Sequence, residues 1–423
     1  SFGCSASLAD GEVLAGCLVE AGFEVVSSLA AAEVVVVNTC AVKGPTEDRV
    51  LSFLRGIPSG KKVVVAGCLP LINYERVQSE VRFDAVVGPA YGQGIVGVVR
   101  RVLRGERVVD LAGASGSLPA LTLPRLRLNP AVSIVPVSYG CLGSCSYCCV
   151  VFARGRLRSY SVEEVLQRVR EDLACGVREF WLTSQDTACY GRDRGTNLAE
   201  LLHALCSVKG DFRVRVGMMT PSLVLDMLPD MVRAFQDPKI FKFVHLPVQS
   251  GDDRVLKSMR RAYSVTDFKR IVAAFRESLP EISLSTDVIC GFPGEDEEAF
   301  ERTLRLIEEV QPDVVNVSRF FARPKTDAAK IAEGGVSRQE VGRRSGLVAK
   351  LAGRIGLERN MQWIGRECDV FVDEKGKISG SWVGRNFAYK PIVVKSSGSL
   401  FCKTVKVRVI KAYPTYLEGV VVE

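Results

Sequence analysis

Cys141, Cys145 and Cys148 fall at the spacing C-x3-C-x2-C within Cys141-Leu142-Gly143-Ser144-Cys145-Ser146-Tyr147-Cys148, directly after the apolar run Val132-Ser133-Ile134-Val135-Pro136-Val137. A strand that ends in a short glycine-containing loop brings the three thiols to one place. Three thiolates can hold three irons of a 4Fe-4S cluster, whose usual ligand set is four cysteines. One iron is then left open, much as a catalytic zinc keeps one position free for substrate. A zinc site and a chance grouping of buried thiols are the alternatives. Zinc motifs usually bring paired C-x2-C knuckles or histidines, and neither accompanies this loop at matching spacing.

A second set lies upstream. Cys4 closes the first few residues, Cys40 follows Val34-Val35-Val36-Val37-Asn38-Thr39, and Cys68 follows Lys62-Val63-Val64-Val65-Ala66-Gly67. Both runs are β-branched and apolar, as strands buried on two faces should be. Helical patterns around Leu14 to Ala21 and Glu47 to Leu54 alternate with them, which predicts a doubly wound parallel sheet over residues 1–115. In such a sheet the carboxyl ends of all strands lie on one edge, where ligands bind. Three distant cysteines therefore converge, and a second cluster on Cys4, Cys40 and Cys68 is expected; small buried hydrophobes are the alternative. Cys17, mid-helix, reads as core. The chain starts at Ser1, and a strand before it is expected to be trimmed.

Gly113 to Ser117 followed by Pro119, Pro124 and Pro130 reads as a linker over 116–131. Over 132–356 the repeated unit is strand then helix, with strands at 132–138, 178–184, 212–218, 240–246, 282–289 and 313–320, which predicts a partial parallel barrel. Active sites of such barrels form at the carboxyl ends of strands. Each strand here ends in polar or glycine-rich residues, including Ser184-Gln185-Asp186, His245 to Gly251 with Gln249 and Ser250, Asp287 to Glu295 with Gly291, and Arg323. A satisfied core role for His245, a plain turn at Gly291 to Gly294 and a helix cap at Asp287 are the alternatives.

The cysteine loop resembles that of the radical S-adenosylmethionine (SAM) enzymes, in which the open iron chelates the amine and carboxylate of SAM. The resemblance implies a cofactor site on this rim. Ser184, Gln185 and Asp186 suit the methionine end, and Arg215 and Arg323 a carboxylate. Tyr147 suits packing on the adenine, and backbone at Gly291 and Gly294 allows close approach. Gln249, Ser250 and Asp287 complete the expected set.

With Cys4, Cys40 and Cys68 added, the chain resembles the methylthiotransferase branch, whose amino-terminal domain carries an auxiliary 4Fe-4S cluster. Ser7 stands where that branch usually has Asn. His245 to Gly251, Asp253 to Lys257, Met259-Arg260-Arg261 and Thr286 to Glu295 look like its signatures. Arg323-Pro324-Lys325-Thr326 resembles its Arg-Pro-Gly-Thr element, with Lys325 replacing glycine. Gly140 to Gly143, Ala153 to Tyr160 and Thr183 to Thr187 are similar to the archaeal and eukaryotic members. The resemblance implies addition of a methylthio group to carbon 2 of N6-threonylcarbamoyladenosine at tRNA position 37. It also implies two 4Fe-4S clusters, SAM, and an electron donor of the reductase, flavodoxin or ferredoxin type.

In the tail, Ser337 to Asn360 reads as a long basic helix. Strands at 367–373, 377–384, 391–395, 403–411 and 417–422 form an all-β barrel signature over 357–423. Lys390, Lys395, Lys403, Lys406, Arg408 and Lys411 interleave with Phe387, Tyr389, Phe401, Tyr413 and Tyr416, a mix suited to phosphate contact and base stacking. The segment resembles the tRNA-binding TRAM barrel; a solvated face and a structural cap are the alternatives.

Composition sets the bounds. The chain has 423 residues, 47% hydrophobic and 25% charged, so two or three globular domains with real cores are expected. Fourteen cysteines in a chain this long favour metal or catalytic thiols in a reducing, cytoplasmic setting over a disulfide scaffold. Cys149, Cys175, Cys189, Cys206, Cys290, Cys368 and Cys402 lack ligand spacing and read as structural. The net charge of +8 fits a polyanionic partner such as nucleic acid, and the resemblance implies tRNA. No apolar run reaches a membrane span, and a monomer is expected. The rival readings are the same chemistry on isopentenyladenosine tRNA or ribosomal protein, and a non-catalytic metal-stabilised RNA-binding protein.

Overall fold

The computed structural model describes residues 1–42, 44–111, 118–331 and 335–422. Four strands, β1 (Val34–Thr39), β2 (Lys62–Gly67), β3 (Ala85–Val87) and β4 (Val108–Asp110), form a parallel sheet in the order β1-β2-β3-β4. Alternating residues go to opposite faces. Val63, Val65 and Val86 pack with the helices Gly44–Arg55, Leu69–Ile72 and Tyr74–Glu80. Val64, Ala66, Ala85 and Val87 pack with Ser5–Glu20 and Gly94–Leu103. Helices thus cover both faces, as uniformly apolar strands require. The expected linker start at Gly113 to Ser117, and with it the boundary at 115, lies outside the described residues.

The six expected barrel strands are all present. β5 (Val132–Pro136) leads into a small antiparallel pair, β6 (Ser138–Tyr139) and β7 (Arg158–Ser159), which flanks the cysteine loop. β8 (Glu179–Thr183) and β9 (Arg213–Val216) extend β5 into a parallel sheet. β10 (Phe243–His245), β11 (Ser283–Cys290) and β12 (Val314–Arg319) form a second one. The parallel bridge Val214↔Ile240 joins them, giving a partial barrel ordered β5-β8-β9-β10-β11-β12. Outward-facing Val135, Phe180, Leu182, Val214, Val244 and Leu284 build the main core against the surrounding helices.

The helix Arg338–Met361 runs past the expected boundary at 356. β13 (Glu367–Lys375), β14 (Ser381–Arg385), β15 (Pro391–Lys395), β16 (Thr404–Ala412) and β17 (Leu417–Val421) then close into a barrel in the order β13-β14-β15-β17-β16. This barrel docks on the amino-terminal end of the central one. Tyr389 packs on Phe241 and Phe243, with ring centroids 4.8 and 5.1 Å away, and Lys242 N donates to Phe387 O at 2.7 Å. No helix among the described residues is long and apolar enough to cross a membrane.

Candidate active site

The strand β5 delivers the cysteine loop to the carboxyl rim of the central barrel. Within it, the Gly143 amide donates to Cys141 Sγ at 3.2 Å, and Arg261 Nη1 donates to Cys145 Sγ at 3.2 Å. The Cys141 thiol is held below the usual range, chiefly by the neighbouring Cys189 thiol. Burial pushes the Cys148 thiol well up, reinforced by Cys145. A metal bound to such a thiol would displace its proton, which would leave to solvent. N–H donors to thiolates are what an anionic iron–sulfur group needs around it. The donor set fits a cluster.

The auxiliary cysteines also converge. Cys40 and Cys4 each lie in the electrostatic surroundings of Cys68, whose thiol burial raises to about 12. Gly3, at φ +123, lies against Cys40; a Cβ there would come within 2.5 Å of Cys40 Cβ. Ser7 is buried beside Cys4, its Oγ 3.9 Å from the Cys4 thiol, where the family resemblance expects Asn. One group from the central barrel enters this set: Arg154 Nε donates to Cys68 Sγ at 3.3 Å. Its Nη2 donates to Asp10 at 2.7 Å, while its Nη1, buried, has no hydrogen-bond partner among the described residues. An orphaned cationic donor beside three thiols fits an anionic group held there.

The rim residues divide. Gln185 Oε1 accepts from the Gly140 amide at 2.6 Å, fixing the entry to the cysteine loop. Asp186 Oδ1 accepts from the Ala188 and Thr220 amides, both at 3.1 Å, and the Ser184 hydroxyl accepts from the Asp186 amide at 3.1 Å. Tyr147 meets Phe292 edge-on at 6.3 Å. Gln249 combines φ +71 with a buried Oε1 that has no partner among the described residues. Backbone strain and a buried acceptor without a partner are features found at binding positions. Asp287 faces His245 Nε2 at 3.1 Å and accepts from Asn316 Nδ2 at 2.8 Å.

Other expected contacts are engaged elsewhere. The Gly291 amide donates to Glu295 at 2.7 Å, and a Cβ on Gly291 would lie 2.3 Å from Val341. Gly291 therefore serves helix packing. The Ser250 hydroxyl accepts from the Asp252 amide at 3.2 Å and is fully buried. Arg323 Nη2 pairs with Glu47 at 2.5 Å, tying the barrel to the first domain, while its Nε and Nη1, also buried, have no hydrogen-bond partner among the described residues. Arg215 is not on the rim: its guanidinium lies 5.5 to 5.8 Å from the rings of Phe243, Tyr389 and Trp181, toward the barrel floor. Lys325 takes φ +67, so the turn that glycine would make survives the substitution.

Sequence spacing missed Cys189. It sits on the turn after β8, fully buried, with its thiol within 4.8 Å of Cys141 Sγ and an Asp186 oxygen. No linear spacing carries that signal. On the C-terminal barrel, Lys390 is buried and donates to Asp313 at 2.7 Å and Asn360 at 2.8 Å. Lys390 and Tyr389 are therefore not part of an RNA surface. Tyr413 and Tyr416 stack at 4.4 Å, with Lys411 4.9 Å from the Tyr413 ring centre. On the long helix Arg343, Arg344, Arg354 and Arg359 pair with acidic residues, the behaviour of a satisfied face.

Comparison with known proteins agrees with this geometry. Residues 135–307 match the radical SAM superfamily, 1–88 the uncharacterized protein family UPF0004, and 362–422 the TRAM domain. Among solved structures, the radical SAM methyltransferase TsrM from Kitasatospora setae shares the fold, with TM-score 0.57, 16% identity, and 78% of this chain and 73% of that one covered. Fold, cysteine loop and sequence match define a radical SAM protein. "Probable threonylcarbamoyladenosine tRNA methylthiotransferase" from Pyrococcus abyssi is 41% identical, covering 99% of this chain and 97% of that protein. The human threonylcarbamoyladenosine tRNA methylthiotransferase is 34% identical, covering 99% and 72%. The chain belongs to the threonylcarbamoyladenosine tRNA methylthiotransferase family.

Proposed function

We infer that this chain is a tRNA-modifying transferase that adds a methylthio group to carbon 2 of N6-threonylcarbamoyladenosine at tRNA position 37. The observation that carries the reading is the full-length relationship, 41% identity across 99% of the chain, to a protein of that name. Cys141, Cys145 and Cys148 would hold the cluster that binds SAM, and Cys4, Cys40 and Cys68 an auxiliary one. When bound, the clusters and SAM supply radical chemistry able to reach an adenine C–H that no side-chain acid or base can deprotonate.

The chain's own residues do the rest. Arg261 and the Gly143 amide steady the ligand sulfurs. Asp186, immobilised by two amides, and Gln249, with its unused oxygen, offer acceptors toward the donors of SAM. Tyr147 backs the adenine position. Gln185 holds the loop through its side-chain oxygen. Tyr389 fills the barrel floor below Arg215 and excludes water from that side. Lys395, Lys403, Lys406 and Lys411 are exposed on the C-terminal barrel, and with the Tyr413–Tyr416 stack they suit a phosphate backbone and unpaired bases. The domain reading is three units, 1–115, 132–356 and 357–423 with a linker over 116–131, the long helix carrying the last boundary on to Met361. We take the protein to act as a cytoplasmic monomer with a flavodoxin, ferredoxin or reductase as electron donor.

The test is nucleoside mass spectrometry after reaction of the reconstituted protein with SAM, reductant and tRNA. Parallel samples carry threonylcarbamoyladenosine, isopentenyladenosine or unmodified adenosine. Methylthio product on the first alone is expected. Product on isopentenyladenosine instead would move the substrate, and SAM cleavage without transfer would remove the activity.

A further inference from the structure

We propose that Arg154, carried by the radical SAM loop, completes the auxiliary cysteine site of the first domain by donating to its sulfur. This rests on the reading of Cys4, Cys40 and Cys68 as cluster ligands.

Arg154 ends the short helix Val150–Arg154 that follows the cysteine loop, so its backbone belongs to the central barrel. Its side chain crosses into the first domain and is 5% exposed. The guanidinium is pinned at two points: Nη2 to Asp10 of the helix Ser5–Glu20 at 2.7 Å, and Nε to Cys68 Sγ at 3.3 Å. Asp10 is itself oriented by the Tyr139 hydroxyl at 2.8 Å. The Tyr139 ring lies 5.7 Å from the guanidinium carbon, so little freedom remains in the side chain.

One carboxylate neutralises one guanidinium, yet the donors are not used up. Nη1 is buried with no hydrogen-bond partner among the described residues. Buried polar groups in folded proteins nearly always find one, and Arg carries five donors in a fixed fork. After Asp10, the thiols of Cys68 and Cys4 act on the guanidinium most strongly. An anionic iron–sulfur group on those thiols supplies the missing acceptor: the sulfide or thiolate sulfur facing Arg154. Donors to cluster sulfurs and nearby positive charge raise the reduction potential and hold the group in place. Because the donor comes from the other domain, an assembled auxiliary site also reports that the two domains are docked. Arg154 is a positioning residue here, acting through Cys68 and the group it holds.

The test uses the full chain with Cys141, Cys145 and Cys148 all changed to Ala, so that only the auxiliary site can hold iron. Arg154→Gln alone would strand the buried Asp10 carboxylate, so it is made together with Asp10→Asn; circular dichroism checks folding, and Asp10→Asn alone is the control. Electron paramagnetic resonance follows a redox titration, and a ferrous chelator strips iron. In the double variant we expect a more negative midpoint potential and iron loss about tenfold or more faster than in the Asp10→Asn control. Equal potential and equal iron loss would overturn the role of Arg154 while leaving the cluster reading intact. A background that binds no iron would remove the cluster reading, and the role of Arg154 with it.

Discussion

Substitutions in the buried pair Glu47–Arg323 should be unequal, and the inequality tests how the two halves of the site are held together. The pair joins the helix Gly44–Arg55 to the turn after β12, with side chains 1% and 3% exposed and 2.5 Å apart. Glu47 has other partners: its Oε1 accepts from Asn73 and from Arg76 Nη1, each at 2.9 Å. Among the described residues Arg323 then keeps the Phe321 ring, 5.5 Å away, and the Cys149 thiol beside it. Glu47→Gln therefore leaves a buried cation without its carboxylate, at about 3–5 kcal/mol. Arg323→Gln leaves a carboxylate still held by two donors, at about 1–3 kcal/mol. Hydrogen exchange of the helix Val150–Arg154, which packs across this interface through Ala153, reads the docking free energy. Since about 1.4 kcal/mol is tenfold, Glu47→Gln should speed its exchange by two decades or more, and Arg323→Gln by about one. Equal effects, or a larger one for Arg323→Gln, would refute the argument that Arg76 and Asn73 compensate.

Glu179, at the barrel floor, is raised to about 7 by burial and by the Asp373 carboxylate, from an ordinary 4.5. A raised carboxyl contributes stability that is full below 4.5 and lost as pH rises through 7. At about 1.4 kcal/mol per unit the difference is about 3 kcal/mol. Stability of the wild type relative to Glu179→Gln should fall by about that amount between pH 4.5 and pH 8 in urea titrations; parallel curves would contradict it. Lys325 at φ +67 costs about 1–2 kcal/mol for a side chain in the left-handed region, partly offset by the flexibility a glycine adds to the unfolded chain. Lys325→Gly should therefore stabilise by about 0.5–1 kcal/mol in the same assay, and a loss of stability would show that the Lys325 side chain holds the turn.

Much of this architecture is legible in the sequence because strand and helix periods here are clean. The uniformly β-branched runs at Val34 to Val37 and Val63 to Val65 require cover on both faces, and alternation in the tail marks a small barrel. Cysteines after strand ends were legible for the same topological reason. Individual contacts were not. Arg215, Arg323 and Gly291 sit on the expected strands or turns, but which end of a strand a long side chain reaches, and which amide a neighbour takes, depend on packing between domains. Cys189 and Arg154 escaped for the opposite reason: their meaning lies in Cys141 and Cys68, which are distant in the chain. Lys390 has the sequence context of an RNA contact, but its ammonium is buried against Asp313 and Asn360.

The central claim is that one chain holds two separate three-cysteine iron–sulfur sites. Iron and acid-labile sulfide per chain, measured after anaerobic reconstitution of the intact protein and of the Cys141/Cys145/Cys148→Ala variant, test it most directly. About eight irons falling to about four is the predicted result. Zinc in place of iron, or a single cluster that survives the substitutions unchanged, would contradict the account.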